Sequence, residues 1–275
     1  MNYIINYSSG GLGNRLIPLA SCGLLANILD RKLGVYWPST TRCMGQFKNL
    51  FLNDIQEIDI SVLNPNDCVI YSKPEYVYHD ATLNGINHLL NMYNLIGCRP
   101  LDEISTNINH SKKFIIVYNN TFLSGFEDVS NFLKELNPIK NLKNIIDAFA
   151  TKNKITKETI GVHARSTDFL NSSIEPYLNQ VNNFVSSNKH IKILFCSDNP
   201  EWEAEMYLKY PNNIIIREKK DNVTKQNKNS SWANNALTSE VAVQEAIIDI
   251  FLLAKTNFLI YNKDSTFGKL VDFIK

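Results

Sequence analysis

Four short stretches carry residue types that could do chemistry rather than fill a core. The first is Gly10-Gly11-Leu12-Gly13-Asn14-Arg15. Glycines between a strand and a helix let the backbone approach a ligand, and the first turn of the helix offers unpaired N–H groups to an anion. A dinucleotide fingerprint would need Gly or Ala where Leu16 stands, and the Gly-Lys-Ser/Thr of a phosphate-binding P-loop is absent. The bland alternative is a tight turn. Asn14 and Arg15 favour a ligand, being polar at the mouth of the turn. The second stretch is Gly161-Val162-His163-Ala164-Arg165-Ser166-Thr167-Asp168. His163 and Arg165 are two apart at a strand end, so they share a face. A guanidinium presents a planar fork of donors that matches phosphate oxygens. A core histidine and a surface ion pair are the structural alternatives.

The third stretch, Cys196-Ser197-Asp198-Asn199-Pro200, ends an apolar run and opens a helix. Asp198 either contacts a nucleotide or, with Asn199, caps the helix. The fourth is Glu245 to Leu253, apolar on nearly every side and therefore a buried helix, with Asp249 in its middle. A buried carboxylate needs donors. Guanine supplies two in parallel, N1–H and the N2 amino group; an Arg or Lys within the protein would serve as well. Downstream, Asp264-Ser265-Thr266-Phe267-Gly268 lies between a strand and a helix and forms another anion-receptive turn.

The elements that position these residues alternate. A strand at Tyr3–Tyr7, the glycine loop, a helix to about Leu29 and a strand at Leu33–Trp37 open a parallel sheet. Strands are predicted at Cys68–Tyr71 and Phe114–Tyr118, and helices at Thr82–Leu95, Glu127–Leu136 and Leu142–Phe149. The polar run from Ala150 to Glu158 is read as a boundary, giving an N-terminal lobe over 1–150 and a C-terminal lobe over 151–275. The second lobe alternates again, with strands at 159–164, 191–196, 213–216 and 258–261. Its helices fall at 176–187, 200–209, 237–255 and from Phe267. Both lobes are thus α/β, of the doubly wound kind. Glu218–Asn235, dense in Lys and Asn, reads as a solvated loop or as a flap over the site.

Composition narrows the partners. A net charge of +1 over 275 residues provides no field for nucleic acid, so a polyanion site must be a local pocket. No apolar run is long enough for an integral membrane segment, and the start reads as a strand rather than a signal peptide. Cys22, Cys43, Cys68, Cys98 and Cys196 are odd in number and scattered, which predicts reduced thiols in a cytoplasmic protein.

Taken in order, these motifs resemble the GDP-fucose-dependent fucosyltransferase superfamily, which includes the α-1,6, nodulation, protein O- and α-1,2 enzymes. Gly11-Leu12-Gly13-Asn14-Arg15 is similar to the Gly-x-x-Asn-Gln/Arg loop of that group. His163-Ala164-Arg165-Ser166-Thr167-Asp168 resembles its His-x-Arg-Arg-x-Asp motif, with Ser166 in place of the second Arg. Ser197-Asp198 resembles its next strand end, and Asp249 to Ser265 its third motif. The resemblance implies two Rossmann-like lobes facing a central cleft, the GT-B type of glycosyltransferase, with the nucleotide on the C-terminal lobe. It implies inversion at the sugar carbon without a metal or other cofactor; Asp-x-Asp, the usual cation motif of the other large architecture, does not occur. L-Fucose would pass from GDP-fucose to a glycan hydroxyl.

By the same carry-over, Arg165 would pair with the β-phosphate, supported by Ser265, Thr266 and Phe267. His163 and Asp249 would hold guanine, and Asp198 the ribose or base. Gly11, Gly13, Asn14 and Arg15 would reach the donor from the first lobe, with Asn14 at the breaking bond. The base that deprotonates the acceptor would be Asp168 or Glu175. A transferase for another nucleotide sugar, and a non-catalytic nucleotide- or glycan-binding module, are the alternatives.

Overall fold

The computed structural model describes residues 2–72, 88–96, 99, 111–118, 126–166, 173–225 and 236–275. The chain divides into two compact units, Met1–Thr40 with Leu52–Leu136, and Thr41–Phe51 with Asn137–Lys275.

The first unit contains β1 (Tyr3–Tyr7), α1 (Leu12–Ile28), β2 (Lys32–Tyr36), β3 (Gln56–Glu57), β4 (Cys68–Tyr71), α2 (His88–Ile96), β5 (Phe114–Val117) and α3 (Phe126–Lys134). Its sheet has the order β3-β2-β1-β5-β4, and every pairing is parallel. β1 is central and buried along its whole length. Ile4 packs with Cys22, Ala26 and Val117 on one face, and Tyr3, Ile5 and Tyr7 pack with Ile58, Ile70 and Ile116 on the other. A strand covered on both faces reads as a continuous apolar run, which is why Tyr-Ile-Ile is tolerated here. The order reverses at β1, so the end of β1 is a topological switch point, and the glycine turn lies there. Gly10 adopts φ +72, and an added Cβ would lie 3.0 Å from Asn14 Nδ2. Only glycine takes that turn without strain.

The second unit contains α4 (Lys140–Asn153), β6 (Ile160–Ala164), α5 (Glu175–Ser187), β7 (Ile193–Ser197), α6 (Pro200–Lys209), β8 (Ile214–Ile215), β9 (Thr224–Lys225), β10 (Ala236–Leu237), α7 (Glu240–Ala254), β11 (Phe258–Tyr261) and α8 (Thr266–Ile274). The sheet order is β11-β6-β7-β8, again wholly parallel, and β9 and β10 form a separate antiparallel pair. The switch point is between β6 and β11. Val162, Ile193, Phe195, Val181 and Met206 are central in one core cluster of this unit.

The expected lobe bounds are corrected at two places. The boundary is not at 150/151, because α4 runs through that polar stretch to Asn153 and belongs to the second unit. Residues 41–51 also belong to that unit. Met44 N donates to Thr238 O at 3.1 Å, Thr238 N to Thr41 O at 2.7 Å, and Ile139 N to Leu50 O at 3.0 Å. The helix expected at Thr82–Leu95 is seen as α2; residues 82–87 lie outside the described residues. Cys22, Cys68 and Cys196 are buried free thiols, Cys43 is buried, and Cys98 lies outside the described residues. No helix among the described residues is long and apolar enough to cross a membrane.

Candidate functional site

The second unit gathers its polar residues at the β6/β11 switch point. β6 is buried throughout and ends at Ala164, so Arg165 and Ser166 emerge half-buried at its tip. His163 is 6% exposed and lies opposite Tyr261 in the β6–β11 register. Its ring stacks on Phe267, with centroids 4.1 Å apart and planes 14° apart. That contact brings the first turn of α8 against the end of β6. Ser265 is the N-cap of α8, accepting from Gly268 N at 3.3 Å. Gly268 has to be glycine, because a Cβ would come within 2.0 Å of the Tyr261 ring. This close approach leaves the N–H groups of Thr266 and Phe267 at the start of the helix, an anion-receptive end. His163, Arg165, Ser265, Thr266 and Phe267 are therefore gathered at one switch point.

The tip is tied to its neighbour. Ser166 N donates to Asp198 Oδ1 at 2.7 Å, and Ser197 Oγ donates to Ala164 O at 2.7 Å. Asn199 Nδ2 donates to Ser166 Oγ at 3.4 Å. The Arg165 backbone hydrogen-bonds the Tyr177 phenol. Burial pushes that phenol up, the Arg165 bond draws it down, and the nearby Asp198 carboxylate raises it again. Asn199, not Asp198, is the N-cap of α6, accepting from Glu201 N at 2.9 Å. Asp198 holds the Arg165–Ser166 turn. Glu175 is exposed at the first position of α5, and Asp168 lies outside the described residues.

In the first unit, Gly11 is the N-cap of α1 with open space where a Cβ would stand. Gly13 is buried in the first helical turn and Asn14 is half-buried beside it. Arg15 corrects the sequence reading. It is fully buried, donating from Nε to Gly10 O at 2.8 Å, from Nη1 to Pro38 O at 2.9 Å and from Nη2 to Thr40 Oγ1 at 3.0 Å. Its guanidinium also lies 4.9 Å from the Trp37 ring centroid. Three of its five N–H groups brace the glycine turn and the strand end beside it, so the side chain is sealed behind the turn rather than standing at its mouth. Arg15→Met should lower stability by about 2–3 kcal/mol, since it strands buried acceptors. Urea unfolding measures this, and a loss below about 0.5 kcal/mol, the size of an ordinary surface change, would contradict the bracing role.

Asp249 is the second correction. Arg217 donates to Asp249 Oδ1 from Nη2 at 2.8 Å and from Nε at 3.2 Å, and Lys219 Nζ is 3.5 Å from Oδ2. Arg217 also pairs with Glu245, and Lys219 with Glu203. Asp249 is the centre of a buried ionic cluster rather than a carboxylate held out for guanine. Burial works against the charge on Arg217 and Lys219, but the carboxylates outweigh it and hold both pKa values up. Burial pushes the Glu203 carboxyl up, with Lys219 opposing. Arg217, Lys219 and Glu203 were missed by the sequence reading. The signal was present: Glu245 and Asp249 are four apart on one buried helix, and two buried acids call for cations.

No protein-family model matches the chain, and no curated protein matches it. Solved structures do. NodZ α-1,6-fucosyltransferase soaked with GDP-fucose is 17% identical, with a TM-score of 0.64 over 99% of this chain and 92% of that one. NodZ from Bradyrhizobium gives 18% identity and a TM-score of 0.66 over 98% and 91%. POFUT1 in complex with GDP-fucose gives 13% and 0.59 over 99% and 94%. Arabidopsis thaliana FUT1 in complex with GDP gives 15% and 0.58 over 99% and 68%. At these identities the likeness is one of fold. The mixed α/β chain with parallel sheets matches the GT-B type fold of those proteins, as the sequence motifs implied.

Proposed function

We propose that this protein is an inverting glycosyltransferase that moves L-fucose from GDP-fucose to a glycan hydroxyl. The observation that carries the reading is the His163–Phe267 stack, which brings the end of β6, two residues before Arg165, against the amide-rich start of α8 at the switch point, in a fold shared with structures solved with GDP-fucose. As the sugar–phosphate bond breaks, negative charge grows on the β-phosphate. A fixed guanidinium and helix-start amides stabilise that charge more in the transition state than in the ground state. A cation supplied by the protein lets the reaction proceed without a metal. With Asp249 engaged by Arg217, base recognition falls to His163 and Asp198 at the adjoining strand tips. Asp168 and Glu175 are the carboxylates proposed for deprotonating the acceptor. The buried thiols of Cys22, Cys68 and Cys196 support a reducing, cytoplasmic setting.

A thermal-shift panel with turnover assays tests this. GDP at 100 times its dissociation constant should add about 2.7 kcal/mol, and UDP at the same concentration markedly less. GDP-fucose should be consumed in the presence of acceptor glycans, and consumption should survive excess EDTA. Equal stabilisation by UDP would remove the guanine assignment. Turnover of a different GDP-hexose alone would move the donor to that sugar. Binding without any turnover would make the protein a nucleotide-binding module. Loss of activity in EDTA that Mn²⁺ or Mg²⁺ restores would overturn the metal-free mechanism.

A further inference from the structure

The buried ionic cluster lies directly under the tip that presents Arg165. Lys219 Nζ donates to Ser197 O at 2.6 Å while pairing with Glu203. Glu203 Oε1 accepts from Ser197 N at 3.0 Å. The two members of one ion pair therefore hold both backbone groups of a single residue at the end of β7. Ser197 passes that constraint on in two ways. Its hydroxyl donates to Ala164 O, the last residue of β6, and also accepts from Asn199 N at 3.1 Å. Its neighbour Asp198 takes the Ser166 amide. The far side of the cluster is anchored as well: Arg217 binds Glu245 and Asp249 of α7, and Lys220 N donates to Glu245 Oε1 at 3.1 Å. An unbroken set of bonds thus runs from α7 through Lys219 and Ser197 to the turn that carries Arg165.

A buried ion pair is a poor source of stability, because desolvation offsets much of the attraction; its attested use is to fix one geometry among several. Here the geometry it fixes is that of Arg165, whose neighbour Ser166 is neutral. A lone cation acting on a phosphate oxygen depends on its position, since a displacement of about 1 Å can cost on the order of a hundredfold in rate. We infer that Lys219 is a positioning residue which, through Ser197, sets the Arg165–Ser166 turn for sugar transfer. The catalytic half of this inference rests on the function proposed above.

The test uses the full chain and three variants: Lys219→Met, Lys219→Met with Glu203→Gln, and Lys255→Met. Lys255 pairs with Asp147 on the surface and serves as the control for loss of a lysine. The double variant removes both charges of the pair, so no carboxylate of that pair is left buried opposite a missing lysine. The amide oxygen introduced by Glu203→Gln can still accept from Ser197 N. The melting temperature of the double variant should return towards that of the parent. Two readouts then separate positioning from folding. Amide exchange followed by NMR should be at least about tenfold faster at Arg165 and Ser166 in the double variant, as expected for local opening, with Val162 and Ile260 unchanged. In GDP-fucose turnover, kcat should fall about tenfold to a hundredfold with the donor KM nearly constant. Lys255→Met should change neither. Unchanged exchange at Arg165 and Ser166 in a double variant of parental stability would overturn the inference. So would faster exchange with a parental kcat. A parent protein that turns over no GDP-fucose would instead refute the proposed function, and the exchange rates alone would then decide whether Lys219 holds the turn.

Discussion

Arg165→Ala is expected to lower GDP-fucose turnover by at least about 100-fold, the loss seen when one transition-state donor is removed. The melting temperature of the free protein should scarcely move. Arg165 stands half-buried at the tip of β6, not within the core that Val162, Phe195 and Val181 form beneath it. The backbone on either side of it is held by Ser197 and Asp198, which bind Ala164 O and Ser166 N, and alanine leaves those bonds in place. Arg165→Lys keeps the charge and loses the planar fork, so it should recover only part of the rate. Ser166 gives no second cation to take over. A structural arginine would behave in the opposite way. The melting temperature would drop clearly, and activity would follow the folded fraction. Steady-state kinetics and thermal unfolding on both variants distinguish the two. Normal folding together with near-normal turnover in Arg165→Ala would remove this residue from the donor site.

The longer strands were legible because each is a short, mostly apolar run closed by a chain-breaking or polar residue; the two-residue strands β3, β9 and β10 were not predicted. Cys68–Tyr71 and Phe258–Tyr261 are found at the bounds the sequence predicts. His163-x-Arg165 was legible for a related reason: polar residues two apart at the end of an apolar strand stand where a parallel sheet presents its ligands. The misreadings arise where a partner is distant in the chain. Ala150 to Asn153 is the exposed-faced last turn of α4, and a polar helix end has the same composition as a linker; the chain leaves the helix at Lys154, with φ 53. Residues 41–51 join the second unit through bonds to Thr238 and Ile139 that no local pattern announces. The start of the Lys- and Asn-rich segment reads as solvated, yet the Lys219 side chain is buried and so is that of nearby Arg217. Composition over a window does not say which lysine points inward. Arg15 was misread because a guanidinium beside a glycine turn can face a ligand or fold back on the turn. Here Gly10 O, Pro38 O and Thr40 take its donors.

The cluster around Asp249 carries the largest stability effect. Arg217→Met should cost about 3–5 kcal/mol in urea unfolding, the range for breaking a buried pair by removing one partner. One guanidinium serves both Glu245 and Asp249, so its loss leaves two carboxylates in a site from which water is largely excluded. Lys219, already committed to Glu203 and Ser197 O, stands 3.5 Å from Asp249 and compensates only in part. Combining Arg217→Met with Glu245→Gln and Asp249→Asn should recover most of the loss, because neutral groups of similar volume do not carry the desolvation penalty of unpaired charge. Asp249→Asn alone separates this structure from the guanine reading of the same residue. If Asp249 bound the base, the substitution would leave the free protein as stable as before and abolish the preference for GDP over UDP. With Asp249 held by Arg217 and Lys219, stability should fall in the absence of nucleotide, and the protein that remains folded should keep its preference for GDP. An unchanged urea midpoint together with equal GDP and UDP binding would return Asp249 to the nucleotide site.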